Sequence, residues 1–368
     1  MGIAETYTRG RRFAVTRPGS ILLAIVGFIL LFDLAGQLTS GQITFSSVGS
    51  LIWDGLMRGL VIGLAGIGLS MTYSILNFAN FAHGDYITAG AFSGWATTYL
   101  IAGLGRADVG ALLLVGAGGS VFGGTLGINV IGTPFAIIAG IIVAGIAAVG
   151  LTLAVDKIAY KPIRDESGIA LLITSVGVAF ALRYLMQFVF GPSVRGTTSQ
   201  PASLSLYFID GVVRVNTHDA ALIIIGGALM LGVHLLLQRT KLGKAMRAMS
   251  DNEDLARVTG IPTEQVVRSV WVIGGGLTGI AGYMFILWKG TLGFNDGWLL
   301  LLLIFAAVIL GGIGSIYGAI TGGLVIGLTA SVSVIWIPST FARATAFIMM
   351  IVILLVKPSG IFSGRSTA

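Results

Sequence analysis

Long apolar runs alternate with short polar breaks along almost the whole chain. They lie near residues 20–38, 52–76, 86–103, 134–155, 168–190, 219–237, 267–288, 298–311, 315–336 and 341–357. A helix needs about 20 apolar residues to cross the hydrocarbon core of a bilayer. The pattern therefore predicts an all-α fold, a polytopic transmembrane bundle of about ten spans. A glycine-rich stretch at 109–124 is read as non-spanning, because "GAGGSVFGGTLGINVIG" at 116–132 is a poor lipid-facing helix.

The positions of Lys and Arg orient the spans. Arg9, Arg11, Arg12 and Arg17 precede the first run, and Lys157, Lys161 and Arg164 follow the fourth. Arg239, Lys241, Lys244, Arg247, Arg257 and Arg268 form a third basic loop, and Lys357 and Arg365 close the chain. Basic residues gather in cytoplasmic loops. All four groups fall on that side if ten spans are crossed with both termini cytoplasmic, which puts residues 191–218 outside. The first run lacks the small-residue ending of a cleaved signal peptide and is read as a retained helix.

Composition sharpens this picture. The 368 residues are 55% hydrophobic and 10% charged, against about 25% charged in a soluble domain. Mean hydropathy is +0.95. The net charge of +7 reflects cytoplasmic loops rather than a nucleic-acid surface, so no nucleic-acid partner is expected. The absence of cysteine excludes disulfides and thiolate metal sites, and His83, His218 and His234 are too scattered for a metal centre. The 55 glycines predict close helix packing. "GGIGSIYGAITGG" at 311–323 reads mainly this way, its break at 311–314 being a secondary candidate for a pathway element. "LVIGL" at 60–64 returns at 324–328, by chance or by internal duplication.

Two polar islands carry candidate chemistry. "LNFANFAHGDYITAGAF" at 76–92 interrupts the apolar pattern with Asn77, Asn80, His83, Gly84 and Asp85. Two readings stay open: a discontinuous helix lining a translocation path, or a tight turn whose polar groups cap two helices. On either, Asn77, His83 and Gly84 matter for gating or structure. The second island is "TKLGKAMRAMSDNEDLARVTGIPTEQV" at 240–266. Ser250 and Glu253 fit a capping box, Asp251, Glu253 and Asp254 suit a helix N-terminus, and Gly260 with Pro262 supplies a stop. A helix of two to three turns is expected, with Leu255, Ala256 and Val258 as its apolar side. It is either an ordinary interfacial helix or a knob that couples to a partner. Arg183 near the outer end of its span is expected to snorkel outward, and Asp33 and Asp54 stand near span ends.

These islands, with "DKIAYKPIRDESGIALLITSVG" at 156–177, "FAAVILGGIGSIYGAITGGLVIGL" at 305–328 and "KPSGIF" at 357–362, resemble the branched-chain amino acid permeases of ABC importers. The resemblance covers most of 52–362. It divides the chain into a basic segment with an extra helix, 1–50, and a permease domain, 51–368. It implies ABC ATPase subunits, a second permease subunit (homologous or identical) and an extracytoplasmic solute-binding protein as partners, all at a prokaryotic cell membrane. In that arrangement Ser250, Glu253, Leu255, Ala256, Val258 and Gly260 couple to the ATPase. The chain has no G-x-x-x-x-G-K-[ST] run to cradle phosphates, so it is expected to bind no cofactor, with ATP and Mg on the ATPase chain. Two alternatives remain: the same machine carrying urea, short amides or another small polar solute, and a standalone channel or ion-coupled carrier.

Overall fold

The computed structural model describes residues 18–105, 126–208 and 210–362. Arg9, Arg11, Arg12, Arg17, Arg365 and the 109–124 stretch lie outside the described residues. Apolar helices stand at the ten expected places: α1 (Pro18–Thr39), α2 (Phe45–Leu76), α3 (His83–Ala102), α4 (Pro134–Val155), α5 (Gly168–Phe190) and α6 (Thr217–Arg239) come first. Two short polar helices follow, α7 (Lys241–Asp251) and α8 (Glu253–Val258). Then come α9 (Thr263–Lys289), α10 (Asp296–Gly311), α11 (Ile316–Val332) and α12 (Ala342–Val356). Among the described residues seven helices are long and apolar enough to cross a membrane, and α1 and α10 add shorter apolar stretches. The chain is a multi-pass helical membrane protein.

The stretch 191–218, placed outside by the charge pattern, holds short strands. A hairpin pairs β2 (Ser203–Phe208) with β3 (Gly211–Asn216), and β1 (Arg195–Gly196) pairs antiparallel with β4 (Thr291–Leu292).

Glycine sets the centre of the bundle. Along α2, Gly55 faces Leu328, Gly59 faces Leu324 and Gly63 faces Ile320, so α2 and α11 run antiparallel with their backbones touching. A Cβ on Gly323 would fall 2.6 Å from the Gly63 nitrogen, and without water to expel between helices this contact is held by close van der Waals packing. The two "LVIGL" stretches both belong to this pair but are offset by about a turn, Leu324 and Leu328 lying against Gly59 and Gly55.

One end of the bundle collects the basic loops. Gly168 approaches the Asn77 carbonyl, Lys161 pairs with Glu264 at 2.7 Å, and Leu237, Met246 and Gly314 line one small cleft with Ser74. The closing "KPSGIF" returns to this end, where the amides of Ile361 and Phe362 donate to the carbonyls of Leu310 and Gly311, each at 2.9 Å. Those carbonyls end α10 and have no partner within their own helix.

Candidate functional site

The island at 76–92 is a climbing segment inside the bundle. α2 ends at Asn77, whose φ of +52° is left-handed, a conformation that Asn tolerates better than most residues. From there the chain rises along α5. Asn77 lies level with Gly168; the Phe81 amide donates to Ser175 Oγ at 3.1 Å; Asp85 meets Arg183. Gly168 to Arg183 is about 22 Å of helix, within the roughly 28 Å that eight extended residues can reach. The break therefore lies within the protein rather than in a turn at the bundle's edge. That is the setting in which non-helical backbone is tolerated in a membrane.

Each motif residue fixes a different neighbour. Asn80 is fully buried, and its Oδ1 accepts from the Ala82 amide at 3.0 Å and from Tyr160 Oη at 3.1 Å. His83 Nε2 donates to the Ala65 carbonyl of α2 at 3.0 Å and lies 3.4 Å from Thr278 Oγ1 of α9. Gly84 lets α10 approach: a Cβ there would fall 2.8 Å from the Gly297 carbonyl. Asp85, with no exposed side-chain surface, takes two hydrogen bonds from Arg183, from Nε at 3.2 Å and from a terminal nitrogen at 3.0 Å. Phe81 packs on Phe305 at 5.0 Å between ring centres. Asn77 itself is exposed.

Arg183 is a correction to the expected snorkelling. It is buried, paired to Asp85, and its guanidinium lies 4.2 Å from the centre of the Trp298 ring. A carboxylate and an aromatic face together compensate the charge better than an outward stretch of the side chain could.

The 156–177 stretch joins this hub to the basic end. Tyr160, in a π-helical turn at Asp156–Tyr160, bonds Asn80 and stacks on Trp271 of α9 at 5.6 Å and 10°. Four residues on, Arg164 grips Asp156 at 2.7 Å and Glu264 of α9 at 2.8 Å. Ser167 caps α5 by accepting from the Ala170 amide. The sequence offered Tyr160, Ser175 and Glu264 only as members of motifs; Thr278 and Trp298 carried no signal beyond being polar or aromatic in apolar surroundings.

The loop at 240–266 forms two helices where one was expected. Ser250 belongs to the last turn of α7, and the capping box with Glu253 does not form. Asn252 is the cap instead, its side chain accepting from the Leu255 amide at 2.8 Å. Asn caps as well as Ser does, and Asn252 stands one residue before the acidic first turn. Glu253 pairs with Arg257 at 3.0 Å. α8 closes in a Schellman turn: Gly260 has φ +85°, its amide donates to Arg257 and the Ile261 amide donates to Ala256. The apolar side is also split. Ala256 is buried against the bundle, whereas Leu255 and Val258 are 61% and 84% exposed, one turn apart on the outer face.

A many-helix membrane bundle with a buried helix break and a short exposed helix at its basic end is an architecture suited to a membrane transport protein. A profile for the branched-chain amino acid transport system permease component matches residues 51–356. The chain belongs to that family. It is 26% identical over 316 residues to the high-affinity branched-chain amino acid transport system permease protein LivH of Salmonella typhimurium, covering 84% of this chain and 94% of that protein. It is 27% identical to the corresponding BraD of Pseudomonas aeruginosa over 313 residues, 84% and 93% of the two chains. It is 28% identical to a probable LivH of Methanocaldococcus jannaschii over 326 residues, 85% and 90%.

Proposed function

We propose that the chain is the membrane permease subunit of an ATP-driven importer of branched-chain amino acids, working by alternating access in a prokaryotic cell membrane. Its basic end, with both termini, faces the cytoplasm. ATPase chains bind there and hold ATP and Mg, a second permease subunit completes the pathway, and a solute-binding protein delivers cargo from outside.

The observation that carries this reading is α8. It is capped at both ends, anchored by Ala256 and presents Leu255 and Val258 to the outside. A rigid apolar knob of this kind fits a partner's groove and passes movement on without bending. Movement of α8 reaches α9 through Ile261, then the 156–164 turn through Glu264, Lys161 and Arg164, and the climbing segment through Tyr160 and Asn80. In this scheme Asn77, Asn80, His83, Gly84 and Asp85 form the pivot that gates the path, and their bonds hold α2, α5, α9 and α10 in one state.

The test is purification of the tagged chain from its native membrane in mild detergent, with mass spectrometry of the proteins and small molecules retained. ATPase chains and a binding protein carrying leucine, isoleucine or valine are expected. The same proteins carrying urea or an amide would keep the machine and replace the cargo. A reproducible oligomer without an ATPase would sink the proposal.

A further inference from the structure

The end of the bundle opposite the basic loops holds a cavity of about 600 Å³ between α2, α9, α10, α11 and α12. Its wall is charged in an uneven way. Lys289 and Asp296 line it but satisfy each other at 2.8 Å. Asp54, Arg58 and Arg343 line it as well, and among the described residues none of the three makes a hydrogen bond or an ion pair. Arg58 feels the charges of both Asp54 and Arg343, so the two guanidinium groups share one region of the cavity. Two cations against the single carboxylate of Asp54 leave this region with a net positive charge, and the arrangement is stabilised when an anion enters.

Two further features point the same way. The start of α12 opens on the cavity through Ala342 and Arg343, with Ser339 in the 3-10 turn just before it, so the positive end of that helix faces the same space. Ser331 also lines it; the residue is 4% exposed, and its hydroxyl has no partner. Leu299, Leu300 and Leu303 of α10 add apolar surface to the lining.

We infer that this cavity is a binding site for a small zwitterion with an apolar side chain: Arg58 and Arg343 hold its carboxylate, Asp54 its ammonium group, and the α10 leucines its side chain. Asp54 and Arg58 are one helical turn apart, a side-chain spacing of about 6 Å, which suits two head groups carried on one carbon. The inference rests on the proposed amino acid import and places the entry station of that path on this chain. Asp219, the other nearby acid, is already engaged by Trp53 Nε1 and the Asn216 amide.

The test uses the complete transporter in nanodiscs, with its ATPase chains, partner permease and binding protein. Val334 lines the cavity without a role in holding the ligand, and the chain has no cysteine. A Val334→Cys chain therefore reports access to a small thiol reagent without background from its own sequence. With ATP, leucine-loaded binding protein is expected to slow the labelling, and empty binding protein is not. The protection should vanish when Arg58→Gln or Arg343→Gln is added. Leucine uptake should then fall about tenfold or more, the size of a lost charge-assisted hydrogen-bond pair, with Arg→Lys at either position restoring part of it.

Equal protection by empty binding protein would make this face a docking surface and overturn the inference. Protection by anionic lipid without leucine would assign the arginines to a lipid phosphate and do the same. Unchanged uptake in both Gln variants also refutes it while import stands, whereas a parent complex that moves no branched-chain amino acid removes both readings. If the Gln variants fail to insert, the labelling of Val334→Cys with both arginines in place still decides.

Discussion

Arg183 and Asp85 meet side-on, through two hydrogen bonds of 3.2 and 3.0 Å, in a place where both side chains are almost wholly buried. They come from helices separated by 98 residues of chain, so the pair ties the start of α3 to the outer half of α5. Trp298 covers the guanidinium from α10. Removing one partner leaves an uncompensated charge in the bundle. Asp85→Ala is therefore expected to destabilise the protein by about 3–5 kcal/mol, read as a lower thermal midpoint in detergent. Asp85→Ala combined with Arg183→Met should recover much of the loss, because the pair as a whole contributes little net stability once its desolvation is counted. A double variant no better than Asp85→Ala would mean that the geometry, rather than the charge balance, is what the site needs.

The neighbouring contact between α3 and α10 leaves no room for a side chain. A Cβ on Gly297 would fall 2.0 Å from the Gly84 carbonyl, and the Gly297 amide donates to Thr88 at 3.1 Å. Gly297→Ala must push the two helices apart, at a cost of about 1–3 kcal/mol or more. Uptake should fall even in the fraction that inserts, because the shift opens the hub beside Asp85. Normal uptake and an unchanged midpoint would show that α10 can slide freely here.

His83 offers a cleaner separation of gating from assembly. Its ring reaches the Ala65 carbonyl in mid-α2 and lies beside Thr278 of α9, far from α8. His83→Ala is expected to impair uptake while the ATPase chains still co-purify. Loss of the ATPase chains with it would give the residue a purely structural role.

Much of the fold was legible because a membrane helix announces itself by length and apolarity, and all ten runs became helices. What the sequence could not show was where each polar group ends up. Arg183 read as a snorkelling cation because its partner, Asp85, is distant in the chain. Ser250 read as a cap because its spacing to Glu253 matches a capping box, yet Asn252 two residues later offers the same chemistry and wins by position. The island at 76–92 was visible as a break in periodicity, but only the level of Ser175 and Arg183 along α5 reveals that the break climbs into the bundle. Arg58 and Arg343 left no trace as a pair, since 285 positions of chain separate them by number (343 − 58) and neither belongs to a motif.

The C-terminal motif gives a prediction that does not depend on transport. Deleting residues 358–368 removes the two amides that satisfy Leu310 and Gly311, along with the contact of Gly360 against Gly312. The end of α10 then frays, and about 1–3 kcal/mol per buried unsatisfied carbonyl is at stake. Hydrogen exchange at 308–316 should quicken while exchange in α2 stays slow. Unchanged exchange at 308–316 would mean that the α10 end is held by the α10–α11 packing alone.

The two faces of α8 predict opposite phenotypes. Leu255 and Val258 are largely exposed, so Leu255→Glu with Val258→Glu should leave the stability within about 0.5 kcal/mol of the parent, read as a nearly unchanged thermal midpoint. If the knob docks on an ATPase, the same pair of changes should abolish co-purification of that chain, because two carboxylates cannot enter an apolar groove without losing their water. Ala256→Pro acts differently. It removes the bond from the Ala256 amide to the Asn252 carbonyl and strains the helix by about 3 kcal/mol. The outer face remains but no longer stands rigidly on the bundle, so ATPase chains should still bind while uptake falls, an uncoupled complex that hydrolyses ATP without transport. Should the charged pair retain its ATPase and Ala256→Pro transport at the parent rate, α8 is an ordinary interfacial helix and the coupling lies elsewhere on the basic end.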